Sequence, residues 1–508
     1  LGFAGEAAAL RMTRELWRAR RGEAPEPGPV RVPRSASIEV RLLADELRAA
    51  RAAMAGRPAE ARRHAASGLD LLGGWQSAFG SLDLQTSVVM HGRGLILAGL
   101  DSAVRSGRPE VIFEWSERAR HLSQQVVPLR PPPDSALADD LAELRMLRAD
   151  DPGWMSLPRA AELRERARER QWTGTGAREV QRPIGLERLR AELDPDTALI
   201  AYVYSGTALT ALVVTADGEA VLPLEQAPAA RAVLPGLRAD LDMSASVRAG
   251  PLAAVVRRSL DDRLATLSTA LLDAPAAVAG TRRLVITTPG VLSDIPWAML
   301  PAMRGRAFTL ATSATRWAAA RGSIGPDPVV ARSAGFAVGP RVARGEEEAA
   351  AAASAWPAAT VLRGVGATVD AVTVLAGDVE VLHVAAHGRH AIDNPLFSGF
   401  ELADGALFGY DIDRAPRVPR TIVLSACEVG RSSIRWGEEA IGMTRVWLHA
   451  GARCVVATPV IVADDVACEL LGAMHEGLAA GIPPAEALAA ASDRTGLVAP
   501  FQSHGAGF

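Results

Sequence analysis

Five near-continuous runs of small and branched apolar residues, separated by helix-patterned segments, constrain this chain's architecture more than any other feature. The runs are Leu284 to Thr288, Ser333 to Val338, Val379 to Ala386, Thr421 to Ala426 and Arg453 to Thr458. Helical patterns fall at Glu346 to Ala355, Thr368 to Ala376, Glu438 to Ala450, Asp465 to Ala480 and Pro484 to Arg494. A strand that is apolar on both sides needs cover on both faces, and an intervening helix supplies it while returning the chain for a parallel strand. The pattern therefore predicts an α/β fold, a largely parallel sheet sandwiched by helices. Reactive groups in such sheets gather at the carboxyl ends of the strands.

Two of the runs end on chemistry. Val379-Glu-Val-Leu-His-Val-Ala-Ala leads into His387-Gly388, and Thr421-Ile-Val-Leu-Ser-Ala leads into Cys427. A thiol becomes a nucleophile when a base or a positive field favours the thiolate, so an imidazole delivered to the same sheet edge forms a plausible pair. An acyl oxyanion would then need backbone N–H donors. Gly388, which lets backbone approach closely, and Cys427 itself suit that role. The competing reading is a small core residue, the commoner fate of a free cysteine after a buried strand. Cys454, inside a strand, and Cys468, on an apolar helix face, fit that reading better.

A different reading of the histidines is a metal cluster, His383-x3-His387-x2-His390 with Asp393. That spacing aligns ligands on a helix, whereas the segment reads as a strand turning into a loop. No metal and no cofactor is expected. Nucleotide binding lacks support as well, because no Walker loop is present and Gly364-Val-Gly366 lacks a third glycine. His91, His121, His449 and His475 sit in helical patterns and are read as structural.

The first part of the chain is helical. Ser37 to Ala55 and Ala59 to Leu72 flank a Gly56-Arg57-Pro58 break, and Leu84 to Ser106 and Glu110 to Leu122 flank Gly107-Arg108-Pro109. The breaks lie 51 residues apart, an internal repeat of helix pairs that resembles tetratricopeptide repeats. Stacked pairs of this kind commonly present a partner-binding surface. A proline-rich stretch at Pro128 to Pro133 closes the region, and Leu137 to Arg170 reads as a charged helical hairpin. A strand hairpin is expected at Leu199 to Tyr204 and Ala208 to Thr215, then a helix at Pro251 to Asp273. The domain boundaries read from this are 1–130 for the helical repeats, 131–183 for the charged linker and 184–508 for the α/β part.

At 508 residues, 49% hydrophobic and 22% charged, the chain has the composition of a globular protein. A net charge of -3 gives no case for nucleic acid or an anionic membrane. Three cysteines make no disulfide framework, and no transmembrane or signal segment is visible, so a cytoplasmic setting is expected. The chain opens on Leu1 within a helical pattern, which suggests a truncated or alternative start.

From about residue 184 onward the sequence resembles the CHAT domain, a caspase-related module often found behind tetratricopeptide-like helices. Ile286-Thr-Thr-Pro-Gly-Val-Leu-Ser-Asp-Ile-Pro-Trp-Ala-Met-Leu300 resembles the family's early strand and turn. Leu382-His-Val-Ala-Ala-His-Gly388 resembles its histidine motif and Leu424-Ser-Ala-Cys-Glu-Val-Gly430 its cysteine motif. Gly437-Glu-Glu-Ala-Ile-Gly442 with Ala450-Gly-Ala452 resembles the helix and turn that follow. The resemblance implies a caspase-like fold and a cysteine endopeptidase whose dyad is His387 and Cys427. It also implies an oxyanion hole at the N–H groups of Gly388 and Cys427. Asp464 matches a family aspartate in the pocket for the residue before the cut, which implies preference for a basic residue there; a helix N-cap is the alternative. Asp294 is a second pocket acid, with a turn role as its alternative. The family's usual Trp in the strand before Asp464 is replaced by Val460, which would reshape that pocket. Expected partners are a protein or peptide substrate and a regulatory protein bound through the helices. The rival to an enzyme is an adaptor: a caspase-like scaffold that recruits partners without catalysis.

Overall fold

The alternation folds into one long mixed sheet. A computed structural model describes residues 4–508 apart from 25, 27, 77–89, 122–134, 151–153, 155–156, 174–182, 294, 323–332, 390–397, 414, 416, 426–432, 435–439 and 461. The strands are β1 (Thr197–Tyr204), β2 (Leu209–Val214), β3 (Glu219–Pro223), β4 (Arg283–Thr287), β5 (Phe308–Leu310), β6 (Ala334–Val338), β7 (Ala359–Leu362) and β8 (Val381–Ala385). They continue as β9 (Gly388–Arg389), β10 (Gly399–Leu402), β11 (Gly405–Phe408), β12 (Thr421–Ser425), β13 (Ser433–Ile434), β14 (Ala440–Ile441), β15 (Cys454–Ala457) and β16 (Gln502–Gly505). The main sheet has eleven strands in the order β3-β2-β1-β4-β5-β16-β15-β12-β8-β6-β7.

This sheet is two parallel blocks of opposite polarity. β7, β6, β8, β12 and β15 run parallel. β16 is antiparallel to β15 but parallel to β5, and β5, β4 and β1 continue in that direction. The β1–β2–β3 meander adds an antiparallel edge. The carboxyl ends of the two blocks therefore face opposite edges. All five expected strands form, with ends within two residues of those expected. β5, β7 and β16 are not visible as apolar runs because they have three or four residues each. β16 is also polar: Gln502 and Ser503 are buried, and the Ser503 hydroxyl lies 3.1 Å from Cys454 Sγ and 3.3 Å from Thr309 Oγ1. Gly505 ends it at φ +90°, where a Cβ would sit 2.4 Å from the Arg453 carbonyl oxygen, so only glycine fits.

Several helices differ from expectation, Ala314–Gly322 among them. The one expected from Glu438 starts at Met443, because Ala440–Ile441 pairs instead as β14. Ala227–Ser246 is a helix whose signal is weakened by Pro228 in its first turn and Pro235 in its interior.

In the N-terminal part the helices Ile38–Met54, Pro58–Gln76, Arg93–Ser106 and Pro109–His121 pack in succession. Both Gly-Arg-Pro breaks work the same way. Gly56 (φ +69°) and Gly107 (φ +65°) take the left-handed conformation just past a helix, and the proline opens the next helix where no N–H bond is needed. These helices are not isolated from the sheet. Leu69, Leu95, Ile112 and Trp115 share a core with Leu199, Ala201, Leu212 and Val214 of β1 and β2.

Glu117 is the polar pin between them. It is 1% exposed, and its carboxylate accepts the N–H of Ala314 at 3.0 Å, the N–H of Thr315 at 2.8 Å and the Thr315 hydroxyl at 2.6 Å. Those donors belong to the first turn of the helix Ala314–Gly322, whose partial positive charge favours a carboxylate. Glu117→Ala leaves these buried donors without a partner and should cost about 2–4 kcal/mol of unfolding free energy. Glu117→Gln, which keeps an acceptor, should cost clearly less; equal losses by denaturant titration would refute the pin.

A second polar element is sealed behind the β8 block. Trp356 Nε1 donates to His475 Nδ1 at 3.1 Å, His475 Nε2 lies 2.9 Å from His383 Nδ1, and His383 Nε2 lies 2.7 Å from Glu348 Oε1. The indole can only donate, which fixes every proton along the chain. His475 carries its proton on Nε2 and donates to His383, and His383 donates to the Glu348 carboxylate. All four groups are buried, and Phe336 packs against both imidazoles. An added proton has no acceptor left, and burial holds the His475 pKa well below its usual range. Burial also lowers His504, whose Nε2 is shielded, to about 4.

A depressed histidine pKa contributes stability above the unfolded value of about 6.5 that is lost as pH falls. The unfolding free energy should therefore decline below pH 6.5, each imidazole approaching about 1.4 kcal/mol per pH unit. His475→Gln should flatten this slope in urea titrations between pH 7 and 5; an unchanged slope would contradict the assignment.

Candidate functional site

β8 and β12 are neighbours in the parallel block, and Ala385 stands opposite Ser425 in their register. The Ala386 N–H donates to the Ser425 carbonyl oxygen at 3.3 Å, so the pairing extends past the strand ends. Two residues beyond Ala385 the chain reaches His387, and two residues beyond Ser425 the sequence places Cys427. Cys427 lies outside the described residues, as do Asp294, His390 and Asp393.

His387 leaves the sheet exposed, and a closed ring of contacts fixes it. Its Nε2 lies 3.0 Å from the Arg341 carbonyl oxygen. A carbonyl only accepts, so Nε2 carries the proton of the neutral ring and Nδ1 is left with a lone pair. The Arg341 guanidinium meets the Glu401 carboxylate at 3.3 Å, and the Glu401 N–H donates back to the His387 carbonyl at 2.8 Å. Arg341 sits at φ 59° and Arg344, three residues on, at φ 54°, both left-handed without being glycine. Such backbone costs of order 1–3 kcal/mol per residue and tends to cluster where a loop is shaped for a task. Here it turns the Arg341 carbonyl toward the imidazole. The sequence carries no local signal for Arg341 and Glu401, because their contribution depends on backbone geometry.

Gly388 opens β9 and pairs with Phe400 of β10. Asp464 is the first residue of the helix Asp464–Ala479, while Ala463 occupies the N-cap position, so the capping alternative does not hold. Its carboxyl is raised above its usual range, first by burial and then by the Glu348 charge, while His387 and Arg344 pull the other way. Asp464 is thus within electrostatic reach of the imidazole. The loop before Asp294 follows β4, which belongs to the block of opposite polarity, but Ile295 and Trp297 then pack with Val460 beyond the end of β15. Val460 is buried in that core, so it does not present its side chain to an open pocket.

The other cysteines are core residues. Burial raises the Cys454 thiol to about 11, and Cys468 is also raised, chiefly by burial. His383 is no partner of His387 in a metal site, because both of its nitrogens are used within the buried chain. Among the described residues no cluster of three metal-ligating side chains occurs, and no helix is long and apolar enough to cross a membrane.

Comparison with known proteins bears on the fold. The family model for the CHAT domain matches residues 261–495. The fold resembles two structures of the Saccharomyces cerevisiae separase–securin complex. One match has a TM-score of 0.51 at 9% identity, covering 97% of this chain and 42% of the other. The second has a TM-score of 0.53 at 10% identity, covering 99% and 40%. This chain thus spans less than half the length of either. A search of curated protein sequences returned no match. A helical region followed by a helix-flanked, largely parallel sheet is the fold this chain shares with the separase structures, and residues 261–495, just under half of the chain, match the CHAT domain model.

Proposed function

We propose that the chain is a cysteine endopeptidase with a His387/Cys427 dyad. The observation that carries the proposal is the β8–β12 register, which brings both chains to equal height before His387 and Cys427. In this reading His387 Nδ1 takes the Sγ proton, and the thiolate adds to the scissile carbonyl carbon. The N–H groups of Gly388 and Cys427 hold the oxyanion. As the C–N bond breaks, His387 returns the proton to the departing amine, and water then hydrolyses the thioester. The Arg341–Glu401 ring orients the imidazole and holds its tautomer.

Asp464 supplies negative charge for an Arg or Lys before the cut, with Asp294 as a second candidate. The helices of the proposed 1–130 region bind a regulatory protein, with 131–183 as linker and 184–508 as the peptidase unit. The separase structures, solved with securin, offer a precedent for a protein partner on such a fold.

An acyloxymethyl-ketone probe tests the dyad directly. The wild type should label, Cys427→Ala should not, and His387→Ala should label about 100-fold more slowly or worse. Equal labelling of wild type and Cys427→Ala would leave the scaffold reading in its place. Arg341→Gly keeps the carbonyl and the left-handed backbone but removes an exposed ion pair worth about 1 kcal/mol or less. It should lower kcat/KM no more than about fivefold, and a loss as deep as that of His387→Ala would show that the guanidinium acts directly. Profiling with a peptide library should show Asp464→Asn losing about tenfold or more of any preference for Arg or Lys before the cut. An unchanged profile would remove Asp464 from the pocket.

A further inference from the structure

A cavity of about 320 Å³ opens at the amino ends of β8, β12 and β15, the edge opposite His387. Its walls are mostly apolar: Val381, Leu478, Ile482, Pro483, Pro484 and Phe508. Arg420 and Arg453 also line it. Arg453 is half-buried, its Nε is shielded from solvent with no hydrogen-bond partner, and burial and the Arg420 charge lower its pKa. Neither guanidinium forms an ion pair among the described residues. The helix Pro484–Thr495 begins at the same wall and adds the partial positive charge of its first turn. Two like charges beside an apolar hollow, neither in an ion pair among the described residues although Glu380 shares the wall, form an arrangement completed by an anion that carries an apolar body.

We propose that this cavity binds a small amphiphilic monocarboxylate. At about 30 Å³ per water-sized group, the space holds about ten such groups, room for a medium alkyl chain. Glu380 also lies on the wall and has an interaction of its own, and its charge favours a singly charged head group over a phosphate dianion. The carboxylate would bridge Arg453 and Arg420 while its tail lies along Leu478, Ile482 and Phe508.

Isothermal titration of the whole chain with decanoate tests this. Decanoate should bind at one site, and decan-1-ol and acetate should not bind detectably in the same range, since one lacks the charge and the other the tail. Arg453→Gln and Arg420→Gln should each weaken decanoate about tenfold or more. Their melting temperatures should match the wild type, which separates lost binding from lost fold. A third variant, Ile482→Trp, narrows the hollow without touching the arginines and should also weaken binding. Absence of decanoate binding, equal affinity for decan-1-ol, or undiminished binding in both arginine variants would each overturn the proposal. None of these results depends on peptidase activity.

Discussion

The parallel pairing of β8 with β12 is the constraint on which the rest of the structure rests. Both strands are buried on both faces, so neither can slip by a residue without exchanging the side chains that face the two helical layers. That fixed register sets Ala385 and Ser425, the ends of the two strands, at equal height at one edge. His387, two residues past Ala385, is then held by a local device. For His387 the device is a left-handed arginine whose carbonyl accepts the ring Nε2–H and whose side chain reaches the strand that holds the His387 backbone.

The buried chain from Trp356 to Glu348 complements this arrangement from beneath. It spans the helix Gly345–Ala353, which follows the Arg341 loop, the strand β8, which precedes His387, and the helix Asp464–Ala479. Hydrogen bonds of fixed direction tie together the three elements that surround the imidazole. Hydrophobic packing alone is less directional and would tolerate small slides between them.

Much of this was legible in the sequence. The five apolar runs and the Gly-Arg-Pro breaks declare strands and helix pairs through local chemistry, and the histidine and cysteine at the ends of two runs point to one edge. Other features were hidden for definite reasons. β16 is a strand of Gln, Ser, His and Gly, in which the buried Gln502 and Ser503 are bonded to the Trp297 N–H, Cys454 and Thr309, so no hydrophobic signal marks it. The reversal of polarity at β15 and β16 follows from that strand and was equally silent. His475 read as structural from its helical setting, and its hydrogen-bond partners, Trp356 and His383, lie far from it in the sequence. Arg341 contributes a carbonyl, which any residue would supply.

The helix Asp464–Ala479 has its first residue near His387 and Leu478 on the wall of the arginine-lined cavity. The fourteen residue steps from Asp464 to Leu478 place these points about 21 Å apart. An occupant of the cavity could not obstruct a peptide lying over the opposite edge of the sheet. Communication between the two places would have to pass along this rod, and would register as noncompetitive modulation rather than as rivalry for one binding groove.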